Sequence, residues 1–197
     1  PSIARTEVGA TGREGVAANY RQAIAEITQG RVAEGLARLQ QVLKQDAHYS
    51  AARQLQVRLL LEARRAEEAM ALLQEGLAIE PAQLNWAMTL ARLQMERGEV
   101  AAAWKTLAHS LPAADRNADY QGFAGHVLQK LGQNKDAIAR YQTATQLAPG
   151  DGRWWLGLGL GLEAEGRPAE AREAFMRARQ GQNLRPELTA LLEQKLK

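Results

Sequence analysis

The chain has 197 residues, 24% of them charged, and its formal net charge at pH 7 is only +3. Lys and Arg are interspersed with Asp and Glu, a pattern that favours a solvated helical surface and disfavours a nucleic-acid interface. The absence of cysteine excludes disulfides, thiolate zinc sites and cysteine nucleophiles. No apolar stretch reaches the roughly 18 residues that predict a membrane-spanning helix.

The first stretch of the chain, residues 1–15, contains three glycines and no sustained hydrophobic period. Stretches of this kind are typical of linkers. We therefore expect a flexible N-terminal linker over residues 1–15, with the regular part of the chain beginning at residue 16.

From residue 16 onward, a hydrophobic pattern returns every 34 residues. Its clearest copy places Ala137, Tyr141 and Ala144 on one helical face, and this small, large, small stripe suits a helix packed between two neighbours. The pattern divides the chain into five units, 16–49, 50–83, 84–117, 118–151 and 152–185. Each unit is predicted to hold two antiparallel helices joined by a short turn, so the predicted fold class is all-α.

The turn inside each unit carries glycine in four of the five copies, which are Gly30, Gly98, Gly132 and Gly166. Glycine is favoured there because the residue after a helix C-terminus often adopts a left-handed conformation. The second unit has Arg64 at this position. Either Arg64 accepts the left-handed strain or the second turn differs locally.

Two parts of the chain depart from the repeat. Pro112 ends the second helix of the third unit early, and residues 111–117 form a longer connection than the others. After the last unit, residues 186–197 place several leucines on one face of a predicted helix. We expect this segment to be a C-terminal capping helix that covers the exposed end of the fifth unit.

The 34-residue helix–turn–helix units resemble tetratricopeptide repeats. The fifth unit carries this resemblance most fully, with the residues Trp155, Gly159, Gly166, Ala171, Phe175 and Ala178. The resemblance covers residues 16 to about 185 and implies a right-handed superhelical solenoid. It also implies a protein-binding scaffold, which is an inference from the family.

Catalytic chemistry has little support in the sequence. The histidines, His48, His109 and His126, fall at different positions of three units, so no shared metal site is predicted. Gly157, Gly159 and Gly161 resemble a dinucleotide-binding loop only superficially, because that loop follows a strand and these glycines fall inside a predicted helix. We therefore predict no enzyme activity, no cofactor and no metal, and interpret the three glycines as sites of close helix–helix approach.

The family resemblance also implies which positions line the concave groove of such an array, namely the second, fifth, ninth, twelfth and thirteenth of each unit. The ninth position reads Ile24, Arg58, Arg92, His126 and Leu160. The candidate peptide-binding residues are Tyr20, Gln54, Arg58, Met88, Arg92, Met95, His126, Gln129, Lys130 and Arg153. Basic, amide and methionine side chains together suit a peptide with acidic groups. The alternative is that Arg58 and Arg92 only form ion pairs with Glu62 and Glu96, four residues later.

A narrower resemblance concerns residues 30–34, 51–53 and 153–157. These stretches are similar to the periplasmic domains of proteins that assist assembly of mannose-sensitive haemagglutinin (MSHA) pili, of the type IV class. That resemblance implies pilus assembly components as partners and a periplasmic domain anchored to the inner membrane by a segment before Pro1; otherwise the chain is expected to be cytoplasmic. RNA binding and self-association are the alternative functions, and the expected state is a monomer or a weak homo-oligomer.

Overall fold

The computed structural model describes the backbone of residues 2–197 and the side chains from residue 12 onward. The described chain is helical and folds into two compact units, Pro1–Pro81 (unit 1) and Ala82–Lys197 (unit 2). This is the all-α architecture that the repeat pattern predicts. Among the described residues, no helix has both the length and the apolar character needed to cross a membrane.

Unit 1 contains four helices, in two pairs. They are α1 (Ser2–Thr28), α2 (Val32–Gln45), α3 (Ser50–Glu62) and α4 (Ala66–Ile79). The pairs α1–α2 and α3–α4 each form a helix–turn–helix, and α2 packs against α3. Ala23, Leu39, Val42 and Ala52 are fully buried in a common cluster, against which Tyr20 and Tyr49 also pack.

The structure differs from the linker predicted over residues 1–15, because α1 begins at Ser2 and residues 2–15 are therefore helical. A single glycine lowers the stability of a helix by about 1 kcal/mol relative to alanine, which weakens a helix without stopping it. At Gly12 and Gly15, a Cβ atom would meet no other atom within 4 Å. These two glycines thus lie in open space and serve no close contact.

Unit 2 contains three further helix pairs and a terminal helix. The pairs are α5 (Leu84–Glu96) with α6 (Val100–Ser110), α7 (Ala118–Lys130) with α8 (Asn134–Leu147), and α9 (Gly152–Ala164) with α10 (Pro168–Gln180). The terminal helix is α11 (Pro186–Lys195). A single 3₁₀ turn, Leu111–Ala113, follows α6, so the connection around Pro112 is longer than the others, as predicted.

The turns inside the helix pairs are left-handed, as predicted. Gly30, Gly98, Gly132 and Gly166 have φ values of 80°, 77°, 74° and 70°. Arg64 adopts the same conformation, with φ 59°, so the second turn keeps the common geometry. A residue with a Cβ atom is strained in this region. The second 34-residue repeat therefore carries a local cost that the other four repeats lack.

Glycines inside α7 and α9 allow large rings from adjacent helices to approach the backbone. A Cβ atom on Gly159 would lie 2.4 Å from the Phe175 ring, and one on Gly157 would lie 2.4 Å from the Tyr141 ring. Both rings are 3% exposed. The three glycines Gly157, Gly159 and Gly161 all lie within α9, which confirms that they serve helix packing.

The C-terminal helix closes the end of unit 2. Leu192 on α11 is 1% exposed and belongs to the core cluster of the last two helix pairs, where Leu184, Leu188 and Leu196 also pack. Lys195 Nζ lies 2.6 Å from a carboxylate oxygen of Glu163 on α9. This arrangement covers the apolar end of the array, the role that the leucine pattern predicts for a capping helix.

Candidate functional site

The predicted binding residues divide between the two units. Unit 1 holds Tyr20, Gln54 and Arg58, and unit 2 holds the other seven. The Tyr20 ring packs 5.0 Å from the ring of Tyr49, so much of Tyr20 belongs to the core of unit 1. The Arg58 side chain is 66% exposed and lies 3.8 Å from Glu62. For Arg58, the structure therefore shows the surface ion pair that the sequence offered as the alternative.

In unit 2, α7 contacts both α5 and α9 in addition to its own partner α8. We call the solvent-facing side of these three helices the α5–α7–α9 face. It carries the remaining predicted residues, which are Met88, Arg92 and Met95 on α5, His126, Gln129 and Lys130 on α7, and Arg153 on α9. Each of these side chains is exposed or partly exposed.

Arg92 makes a contact that its own helix does not supply. Its guanidinium carbon lies 5.7 Å from the ring centroid of Phe123, which is on the neighbouring helix α7. An arginine over an aromatic face keeps its charge and its hydrogen-bond donors available to solvent. Arg92 and Phe123 together form a cationic and aromatic patch, with the partly exposed Met88 and Met95 on the same helix as Arg92.

His126 and Lys130 lie one turn apart on α7. The His126 side chain is exposed to solvent. The protein atoms that surround part of the ring nevertheless disfavour its charged form. This desolvation lowers the pKa of His126, and the positive charge of Lys130 lowers it further. His126 is therefore a neutral hydrogen-bonding group at pH 7, and Arg92 and Lys130 supply the positive charge of this part of the face.

Gln129 has a structural role on this face. Its Oε1 accepts a hydrogen bond of 3.2 Å from the hydroxyl of Tyr141, the ring that packs on Gly157. The hydroxyl of a buried tyrosine needs such a partner. Gln129 is thus partly committed to the scaffold.

Arg153 is the most constrained charged residue of the face. Its Nε and Nη2 donate to the two oxygens of Asp151, at 3.0 Å and 2.7 Å, and Nη2 also donates to Asp119 on α7 at 2.9 Å. The guanidinium carbon lies 4.4 Å from the ring centroid of Trp154. One edge and one face of the guanidinium are therefore fixed by the protein itself.

Asp151 is the buried partner that holds this arrangement. Its carboxylate accepts the backbone N–H of Arg153, which caps α9, and the side-chain amide of Asn183 at 2.9 Å. Burial opposes the ionisation of Asp151, but the hydrogen bonds from Arg153 and Asn183 outweigh it and lower the pKa of the carboxyl group. The segment around Asn183 is held in place because Gln182 exchanges backbone hydrogen bonds of 2.8 Å and 2.9 Å with Gly150 and Gly152.

Three residues that contact side chains of this face were missed by the sequence argument: Phe123, Trp154 and Asp151. Phe123 lies just outside the positions that the family resemblance assigns to the groove. Trp154 precedes the Trp155 of the repeat pattern, and its ring packs on Gly122, where a Cβ atom would lie 2.3 Å away. The adjacent tryptophans and the Asp-Gly pair before α9 were the available signals, but neither names a partner on another helix.

The α5–α7–α9 face presents a limited set of chemical groups. Within the described part of the chain, no group of three or more His, Asp or Glu side chains could hold a metal ion. The carboxylate with the strongest structural partners, Asp151, is engaged in ion pairing and helix capping. The α5–α7–α9 face combines cations, a ring and methionines, which are groups that bind a partner without reacting with it.

The helix pairs are joined by short left-handed turns, and small residues of one helix pack under large residues of the next. This arrangement defines a helical repeat protein. Profiles described as tetratricopeptide repeat match residues 26–88, 60–126 and 124–184. The chain belongs to the tetratricopeptide repeat family. No curated protein sequence matches it significantly.

Solved structures of other tetratricopeptide repeat proteins share the fold. YrrB, described as a TPR protein with an unusual peptide-binding site, has a TM-score of 0.73 at 14% identity, over 96% of this chain and 97% of its own. A MamA structure has a TM-score of 0.68 at 20% identity, over 84% and 90% of the two chains. A further MamA structure has a TM-score of 0.67 at 21% identity, over 91% and 98%. At these identities the likeness shows the fold alone.

Proposed function

We propose that this chain is a non-catalytic interaction module that binds an acidic, partly apolar peptide segment of a protein partner on the α5–α7–α9 face. The observation that carries the proposal is the contact of the exposed Arg92 with Phe123, on a face that also presents Lys130, Met88 and Met95. The description of YrrB as peptide-binding supports a peptide as the kind of ligand.

The chemistry of the face favours an acidic peptide over a neutral one. Arg92 and Lys130 are exposed cations, and a carboxylate forms charge-assisted hydrogen bonds with either of them. Phe123 and the two methionines offer apolar contact that adapts to different side chains. An acidic residue next to a leucine or phenylalanine would satisfy both halves of the patch.

The test uses two synthetic peptides, acetyl-Asp-Glu-Leu-Phe-Glu-Asp-amide and its Asn/Gln counterpart, titrated into isotope-labelled protein and followed by NMR. We expect the acidic peptide to shift backbone signals of α5 and α7, to bind more weakly at higher salt and to outcompete its neutral counterpart. Arg92→Glu should lower its affinity by about tenfold or more, because an attractive charge becomes a repulsive one.

Arg172→Glu provides the matched control, because Arg172 is an exposed arginine on α10, outside this face. Both variants should keep the helical circular dichroism of the wild type. Equal loss of affinity in the two variants would reduce the effect to net charge. Binding that Arg92→Glu leaves unchanged would place the site away from Arg92 and Phe123, and preferential binding of single-stranded RNA would replace the proposal by the nucleic-acid alternative.

From the sequence resemblance at residues 30–34, 51–53 and 153–157, we further propose that the partner belongs to an MSHA-type pilus assembly complex. None of the matching structures named above is described as a pilus protein, so the proposal depends on those three stretches. Purified components of such a complex, assayed singly against the wild type and Arg92→Glu, test it. Absence of binding by every component would remove the pilus role and leave the peptide-binding proposal intact.

A further inference from the structure

One edge of the Arg153 guanidinium group makes fewer hydrogen bonds within the protein than it can. Asp151 holds Nε and one N–H of Nη2, and the Trp154 ring covers one face of the guanidinium. The second N–H of Nη2 donates to Asp119. Within the described part of the chain, Nη1 has no hydrogen-bond partner. The edge formed by Nη1 and Nη2 is therefore only half used.

Asp119 is a weak occupant of that edge. Its side chain is 65% exposed, and it meets Arg153 through a single hydrogen bond of 2.9 Å. The Asp151 carboxylate, by contrast, is only 9% exposed and is bound by two guanidinium nitrogens. A carboxylate that bound Nη1 and Nη2 together would make two parallel charge-assisted bonds where Asp119 makes one.

The contact between Asp119 and Arg153 differs from the other exposed arginine pairs of the chain. Arg65–Glu68 and Arg167–Glu170 are pairs within one helix end, and in each the glutamate takes both Nε and Nη2. Asp119 and Arg153 are 34 residues apart, at the second position of successive repeats and on neighbouring helices. This contact therefore joins α7 and α9 on the α5–α7–α9 face, where a bound peptide would compete with it.

We propose that Asp119 is an internal competitor for Arg153, and that a carboxylate of the bound acidic peptide displaces it. Arg153 is then the anchor of the peptide, already oriented by Asp151 and Trp154, so little side-chain freedom is lost on binding. This inference rests on the proposed function and names one specific carboxylate site within it. It makes a prediction of unusual sign, since removing an acidic residue from the binding face should strengthen binding.

The test compares Asp119→Ala with Glu170→Ala, using the acidic hexapeptide and its Asn/Gln counterpart. Both acids lie in the first turn of a helix and both pair with an arginine, so the two variants make the same change in charge and in helix-end electrostatics. We expect Asp119→Ala to bind the acidic peptide about two- to fivefold more tightly than the wild type, the range expected when an exposed ion pair no longer competes. Glu170→Ala should bind like the wild type.

Equal affinity of Asp119→Ala and wild type, or equal tightening by Glu170→Ala, would overturn the proposal. The Nε–H signal of Arg153, assigned by its loss in Arg153→Lys, should shift with the acidic peptide and not with the neutral one. The proposed role of Asp119 can fail while Arg92→Glu still weakens binding, in which case the proposed function stands. Conversely, Asp119→Ala can tighten a binding that Arg92→Glu leaves unchanged, in which case only the role of Arg92 is lost.

Discussion

The two repeats of unit 1 and the last two repeats of unit 2 fill the same pair of core positions with different volumes. The eighth and twenty-fourth positions hold Ala23–Leu39 and Val57–Leu73 in unit 1, and Gly125–Tyr141 and Gly159–Phe175 in unit 2. The larger residue of each pair is buried in every case. In unit 1 alanine or valine accompanies leucine, and in these two repeats of unit 2 glycine accompanies a ring. The larger ring is therefore accommodated by the absence of a Cβ atom on the residue opposite it.

The fourth position shows the same contrast with polarity in place of volume. In the second repeat, which lies in unit 1, it is Arg53, which is 2% exposed and donates to the backbone carbonyls of Leu72 at 2.8 Å and Ala47 at 3.2 Å. In the fifth repeat, which lies in unit 2, it is Trp155, whose indole N–H donates to the carbonyl of Pro149 at 2.8 Å. Desolvation lowers the pKa of Arg53, so the second repeat bears an electrostatic cost at a position that the fifth repeat fills with a ring. In both repeats the side chain donates hydrogen bonds to backbone carbonyls.

The largest expected effect comes from replacing Gly159 and Phe175 of repeat five by the residue types that repeat three has at the same positions, Ala91 and Leu107. Gly159→Ala should cost about 1–3 kcal/mol because its Cβ would overlap the Phe175 ring. Phe175→Leu should cost about 1–2 kcal/mol through the space it leaves. The double variant should lose less stability than the two single variants together, by about 1 kcal/mol or more, as measured by denaturant midpoints.

Gly15→Ala is the control for this cycle, because it makes the same substitution in a helix where a Cβ atom meets nothing within 4 Å. It should be neutral or stabilise the protein by up to about 1 kcal/mol. If the stability losses of Gly159→Ala and Phe175→Leu were strictly additive, the two side chains would not be packing against each other.

A smaller effect separates the turns of the two units. Arg64→Gly should be neutral or raise the free energy of unfolding by up to about 1 kcal/mol, because glycine adopts the φ of 59° without strain but costs more entropy on folding. The reverse change in unit 2, Gly98→Arg, should lower it by about 1 kcal/mol, although a Cβ there meets nothing within 4 Å. Thermal denaturation measures both. A large loss on Arg64→Gly would mean that the Arg64 side chain stabilises its turn.

The smallest expected effect concerns His126. Because its pKa is lowered in the folded chain, the unfolded chain binds the proton more readily as the pH falls below 6.5, the ordinary value for histidine. Stability contributed by neutral His126 is therefore complete above that pH and decreases as the pH falls towards the folded pKa. The melting temperature of His126→Gln should fall less than that of the wild type between neutral and mildly acidic pH.

An NMR titration of the His126 ring tests the cause directly. Lys130→Gln should raise the pKa of His126 towards its ordinary value, because it removes the neighbouring positive charge. Lys135→Gln, at an exposed position on α8, is the control and should leave that pKa unchanged. A pKa that is insensitive to Lys130 would assign the whole shift to desolvation.

The sequence alone determines the parts of this protein that depend on local backbone hydrogen bonding and on repetition. The glycine period predicts the left-handed turns, and each second helix begins two residues after its turn residue, at Val32, Ala66, Val100, Asn134 and Pro168. Small residues opposite large ones predict the close approach at Gly159 and Phe175. These features follow from one unit and its copies, because hydrogen bonds and packing within a helix pair connect residues close in the chain.

Tertiary structure decided the rest, because it concerns side chains on separate helices. No period shows that Arg92 lies over Phe123 or that Arg153 is held between Asp119 and Asp151. The two arginines occupy groove positions by resemblance, yet each has a different partner. Those partners depend on rotamers and on the neighbouring helix, whose polar residues differ from copy to copy while its core positions repeat.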